Sequence, residues 1–232
     1  MTTPAASRPD EPRFPGFPPE VPFPPQPGPP GAPRPGYPPV PMVPVPSPPH
    51  PTDELRSLVY EQLLGRRTVI LDRTLDAETA TLVAAQLMQL DADSSRPITL
   101  VVNSPGGPLD GAAAVLDTID LVRGAVDTTC LGQAVGTAAV VVAAGTGRRR
   151  IGAGAQMRLR LAEVELAGSA GRLDDELAHL RELRRALIDR LASITGQDRR
   201  LVERDIDEGR GLTAHDALAY GLVDEVIEPR SR

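Results

Sequence analysis

Two glycine-bearing turns carry the residues whose types and spacing suggest chemistry: Asn103-Ser104-Pro105-Gly106-Gly107-Pro108 and Gly132-Gln133-Ala134-Val135-Gly136-Thr137. Glycine at a strand-to-helix turn lets the backbone close tightly and leaves N–H groups facing a ligand, and a helix start adds partial positive charge. Two such turns side by side would make an oxyanion hole, the feature that stabilises the tetrahedral intermediate of acyl transfer. A hole needs a nucleophile and a base, and few residues are available. The 25 cationic residues are all arginine, which excludes Ser–Lys dyads, Schiff bases and P-loop phosphate grips. The histidines are His50, His179 and His215, none placed by motif beside Gly136. Ser104 reads as a turn residue bonded to its own backbone, and Cys130, late in an expected strand, as a buried structural thiol. No set of residues has metal-ligand spacing, so neither a metal nor a cofactor is implied.

The elements that must position these turns read as an α/β alternation. A β-branched run at 98–102 leads into the first turn, and a second run at 127–131 is expected to end at Gly132-Gln133. After the first turn Leu109, Ala112, Ala113, Leu116 and Ile119 recur at helical spacing, with Pro108 suited to a first helical position. After the second, 135–144 is small and apolar throughout, as a fully buried helix would be. Further helices are expected at 53–64, 77–91 (capped by Asp76), 172–195, 201–207 and 214–220, and strands at 68–71, 157–161 and 223–227. Met157, Leu159 and Leu161 alternate with Arg158 and Arg160, the pattern of a strand with one wet face. The run Arg148-Arg149-Arg150 reads as a solvated turn.

Composition divides the chain. Of 26 prolines, 22 lie in the first 51 residues, together with all three phenylalanines, Phe14, Phe17 and Phe23. Residues 1–51 are therefore expected to be a disordered or polyproline-like tail with little means of packing a core, and its proline patterns would suit an aromatic groove on a partner. Residues 52–232 suit one domain with a real core. The net charge of −6 belongs to that domain, because the tail's Asp10, Glu11 and Glu20 balance Arg8, Arg13 and Arg34. An acidic domain with no basic face disfavours nucleic acid. The tail lacks the continuous apolar stretch of a secretory signal, and nothing later would span a bilayer. A single cysteine fits a reducing, cytoplasmic setting.

Several motifs in order resemble the ClpP family, the proteolytic subunits of ATP-dependent Clp proteases, within the crotonase-like superfamily. They are the Asn103-Ser104-Pro105-Gly106-Gly107 turn, Asp117-Thr118, Gly132-Gln133-Ala134, Ala143-Ala144-Gly145, Thr195-Gly196-Gln197, Val202-Glu203-Arg204-Asp205 and Tyr220-Gly221-Leu222-Val223-Asp224, spread over residues 63–227. The resemblance implies a fold of repeated β-β-α units with a projecting handle strand and helix, the strand near 163–170. In the family the handle locks two seven-membered rings together. The leucine stripe Leu173, Leu177, Leu180, Leu187 and Leu191 is accordingly expected to serve oligomerisation, as a homo-oligomer or a ring mixed with active ClpP paralogues, with a Clp ATPase as a further partner.

The departures fall at the chemistry. The family's serine nucleophile falls on Gly136, its histidine base on Leu161 or Arg160 according to the direction of counting, and its aspartate on Gly209. Leucine has no proton to exchange and arginine stays protonated. The resemblance and the turn geometry together give the backbone N–H groups of Gly107 and Thr137 as the oxyanion-hole donors. The reading is a triad-deficient, ClpR-like subunit, a pseudoprotease with a structural or regulatory role. Two other readings stand beside it: an active peptidase using residues outside the motifs, such as Ser104 or His215, and a crotonase-like acyl-CoA protein using Asp110 as its acid–base group.

Overall fold

The computed structural model describes residues 51–161 and 170–230, without the side chains of 51–54, 56 and 170–173. Its elements alternate in chain order except where β5 follows β4 and α6 follows α5. They are α1 (Pro51–Gly65), β1 (Thr68–Leu71), α2 (Ala77–Asp93), β2 (Ile98–Ser104), α3 (Leu109–Leu121), β3 (Val126–Val135) and α4 (Thr137–Ala143). Then follow β4 (Arg149–Gly152), β5 (Gln156–Leu159), α5 (Ala170–Thr195), α6 (Arg199–Asp207), β6 (Arg210–Thr213), α7 (Ala214–Tyr220) and β7 (Glu225–Ile227).

The strands form one seven-stranded sheet whose main path, β1-β2-β3-β4-β7, is parallel throughout. Long β3 serves two partners in succession. Its first half pairs with β4 at Thr128–Cys130, and its end pairs with β5 at Gln133–Val135. β5 in turn pairs antiparallel with β6. This fork sets the end of β3 beside the end of β5, where the candidate site lies.

The core fills one side of the sheet. Leu100, Val102 and Cys130 point into it, α4 is buried along its whole length, and Ile119, Ile188 and Leu191 close it from α3 and α5. α2 starts where the side chain of Asp76 accepts the Thr79 N–H at 2.8 Å. At its other end Arg67, held at φ 60, donates to the carbonyls of Leu90, Ser94, Arg96 and Pro97. One guanidinium thus satisfies the carbonyls around the end of a helix that has no basic residue in its own last turn.

Five expectations are corrected. β3 does not stop at Leu131: Gly132, at φ 78, is an irregularity inside the strand, where Val102 pairs with Cys130 and Ser104 with Ala134. Pro108 sits just outside α3 rather than in its first turn. The arginine run is not a free turn, since Arg149 and Arg150 open β4 and Arg149 is ion-paired with Asp224. The leucine stripe is divided, because Leu187 and Leu191 are buried in their own chain's core while Leu177 remains exposed and Leu180 partly so. The expected tail is corrected at its last residue, since Pro51 opens α1; the rest of that tail, the side chain of Leu173 and all but the last residue of the expected handle strand lie outside the described residues.

Candidate functional site

Gly136 is the hinge between β3 and α4. It has φ 58 and ψ −119, a conformation that a residue with a side chain adopts only under strain. Its N–H donates to the Arg158 carbonyl at 2.8 Å, and its own carbonyl accepts from Ala139 at 3.0 Å. The β3–β5 pairing therefore carries the chain after β5 directly over the hinge. A Cβ at position 136 would lie 2.3 Å from the carbonyl oxygen of Arg160. The place where a nucleophile would stand is taken by main chain.

The first glycine turn packs against the second. A Cβ at Gly107 would meet the Leu75 carbonyl at 2.2 Å, so only glycine allows this approach. The Gly107 N–H donates to Thr137 Oγ1 at 2.9 Å, and the same hydroxyl donates to the Gly107 carbonyl at 3.1 Å. Thr137 is fully buried. One of the two expected oxyanion donors therefore already has an acceptor, the Thr137 hydroxyl oxygen. The other, the Thr137 N–H, is the first of α4 and has no partner within the helix by position.

The other positions expected to align with the family's triad lie close to the same place. Arg160 follows β5 and lines, with Leu161, a cavity of about 310 Å³ bounded by Pro105, Gly107, Gly136 and Thr137. Its aliphatic chain also lies over Gly209, where a Cβ would sit 3.4 Å from Arg160 Cδ. Leu161 instead leans on the hydrophobic core. Arg160 is thus the residue in contact with both the Gly136 and the Gly209 positions. The nearby aspartates are engaged elsewhere. Asp205 is buried and accepts from Tyr220 Oη and Arg210 Nη1, each at 2.9 Å, and Asp207 pairs with Arg184. Burial, and then the bond to Asp205, hold the Tyr220 hydroxyl above the ordinary phenol range.

The other residues singled out from sequence do not join this site. Ser104 is fully buried, donates to the Arg73 carbonyl at 2.6 Å and accepts the Gly106 N–H at 3.1 Å. Burial pushes the Cys130 thiol up to about 12, which keeps it protonated and unreactive. His215 lies 3.9 Å from Glu228 on the surface, and His179 is exposed on α5. His50 is outside the described residues. Asp110 is exposed in the first turn of α3 and does not line the cavity at Gly136. Among the described residues no group of His, Cys, Asp or Glu is arranged to hold a metal ion, and no helix is long and apolar enough to cross a membrane. Sequence reasoning missed the Thr137 side chain and the Arg160 carbonyl. A hydroxyl directly after the hinge glycine was a legible signal for the first; nothing local signals the second.

Comparison with known proteins gives this geometry its context. The profile of the Clp protease family matches residues 52–230. The chain is 36% identical over 175 residues to the ATP-dependent Clp protease proteolytic subunit 1 of Rhodococcus jostii, covering 74% of this chain and 79% of that protein. It is 37% identical to proteolytic subunit 3 of Nocardia farcinica, over 74% of this chain and 79% of that one. It is 35% identical to proteolytic subunit 2 of Mycobacterium tuberculosis, over 74% and 82%.

Proposed function

The chain belongs to the Clp protease family, and from that premise we propose that it is a ClpP-like subunit with no peptidase activity of its own, acting structurally or as a regulator within a Clp protease assembly. The observation that carries this reading is the Arg160 carbonyl, 2.3 Å from where the Cβ of a nucleophile would stand. Removing a serine-protease triad costs about a million-fold in turnover, and roughly a thousand- to ten-thousand-fold over water then survives through the oxyanion hole and binding. Here the Gly107 donor is held by Thr137, so that remnant is reduced as well. The reading through Ser104 loses support because that hydroxyl is buried and bonded to main chain. The acyl-CoA reading loses it because one of its two donors is occupied and Asp110 does not line the cavity.

In this proposal the subunit joins a ring of its own copies or of active paralogues, with a Clp ATPase as a further partner. Contacts fall to the N-terminal part of α5, at Leu177 and Leu180, since Leu187 and Leu191 are used within the chain. The test is to assay the purified protein on a fluorogenic peptide, alone and mixed with an active paralogue, while measuring particle mass. No turnover alone, together with a multi-subunit mass or altered turnover in the mixture, is the expected result. Robust hydrolysis by the isolated chain would reject it.

A further inference from the structure

A second cavity, of about 620 Å³, opens beside the hinge, where β3, β5 and β6 meet. Its polar lining comes from Asn103, Gln133, Gln156 and Arg158, with Gly154 and Gly211 beneath. A Cβ on either of those glycines would meet nothing within 4 Å, so there is open space above the backbone. No carboxylate lines the cavity among the described residues. Several other arginines, by contrast, sit against carboxylates: Arg149 with Asp224, Arg190 with Asp120, Arg199 with Asp189 and Arg210 with Asp205. Arg158 is exposed, and its guanidinium has no hydrogen bond or ion pair among the described residues. Its backbone is fixed all the same. Arg158 pairs with Val135 on β3 and Gly211 on β6, and its carbonyl accepts the Gly136 N–H at 2.8 Å. Asn103 is fixed too, because its Oδ1 accepts the Gln133 N–H at 3.2 Å, which leaves its amide N–H₂ as a donor.

A planar guanidinium and carboxamide donors around one cavity, with no competing acid, match a planar oxyanion that can accept a bidentate pair. The size suits a few residues of extended chain, and the glycine-lined floor leaves main chain accessible to main chain. We infer that this cavity binds the carboxylate at the end of a short peptide, with Arg158 as the principal anchor and Asn103, Gln133 and Gln156 as its neutral donors. A free carboxylate end is what peptide-bond hydrolysis produces, so such a site would hold products released by a peptidase. The inference does not depend on whether this chain hydrolyses anything.

The test uses the full-length protein and a fluorescently labelled five-residue peptide, prepared once with a free C-terminus and once as the amide, with binding followed by fluorescence anisotropy. Hydrogen bonds to charged groups predict that the acid binds at least about tenfold more tightly than the amide. The preference should vanish in Arg158→Gln, which keeps a donor of similar reach but no charge, while the variant's melting temperature stays within a few degrees of the parent. Arg148→Gln, in the turn just before β4, should leave it intact. Equal binding of acid and amide, an unchanged preference in Arg158→Gln, or absence of binding at millimolar peptide would each overturn the inference. So would displacement by inorganic phosphate but not by acetate at equal ionic strength, which would make this a phosphate site. Chromatography of the peptide after the titration shows whether it was cleaved, so the binding result is separable from the hydrolysis result.

Discussion

Restoring the family's serine by Gly136→Ser should destabilise the protein and yield no peptidase. The backbone at Gly136 has φ 58 and ψ −119, a region where a side chain costs roughly 1–3 kcal/mol. The new Cβ would begin 2.3 Å from the Arg160 carbonyl oxygen, well inside contact distance, and the obstacle is main chain rather than a movable side chain. Pushing that strand end aside strains the Gly136–Arg158 hydrogen bond and adds roughly 1–3 kcal/mol of overpacking. Together these place the loss at about 3 kcal/mol or more, a fall in Tm of roughly 6–12 °C for a domain of this size. Thermal unfolding followed by circular dichroism gives the first quantity and a fluorogenic peptide the second. Gly136→Ala is the control, because it carries the same Cβ without the hydroxyl and should lose similar stability. A serine variant that melts with the parent and turns over peptide would refute the closure of the site.

Replacing buried Thr137 by Val removes the hydroxyl that bonds both the N–H and the carbonyl of half-buried Gly107, and should cost about 1–3 kcal/mol in denaturant titrations, with Thr137→Ser near the parent. Cys130, pushed up to about 12 by burial, should resist a thiol reagent at pH 8 in the native protein and react once denaturant is added; rapid native labelling would contradict its burial. The Asp224 carboxyl is held below its usual range, first by the side-chain bond from Arg149, so its contribution is present above the ordinary carboxylate value of about 3.9 and is lost as pH falls through its lower folded value. Tm should therefore drop on acidification below about pH 4, and Asp224→Asn should make that acid limb shallower; an unchanged limb would place the sensitivity elsewhere.

Much of the frame was legible because it rests on local rules. β2 begins where the β-branched run at 98–102 placed it, Asp76 caps α2 as its position before the helix implied, and the small apolar run at Thr137–Ala143 is a buried helix. The errors share a cause, which is that glycine and arginine take their meaning from neighbours distant in sequence. Gly132 looks like a stop, yet the bond from Gln133 to Asn103 on β2 carries the strand through it. Arg149 looks solvated, yet Asp224 at the end of the chain draws it into β4. The division of the leucine stripe is likewise set by tertiary packing, because periodicity gives one face of α5 but not how far the rest of the chain covers it.

The candidate site joins a loss visible in the sequence to one visible only in space. That Gly136, Arg160 and Gly209 lack the side chains of a triad follows from their identities. That Arg160 reaches both of the others follows from the β3–β5 pairing, which fixes where its main chain runs. These two losses respond differently to mutation. Side chains restored together at all three positions would still face the Arg160 carbonyl, because changing residue 160 does not remove its backbone oxygen. Recovering a working geometry would require a change in the length or path of the segment after β5 as well as new side chains. Under the proposed function, inactivity held by backbone is harder to reverse than inactivity held by residue identity, and a subunit built this way would suit a role in assembly or binding.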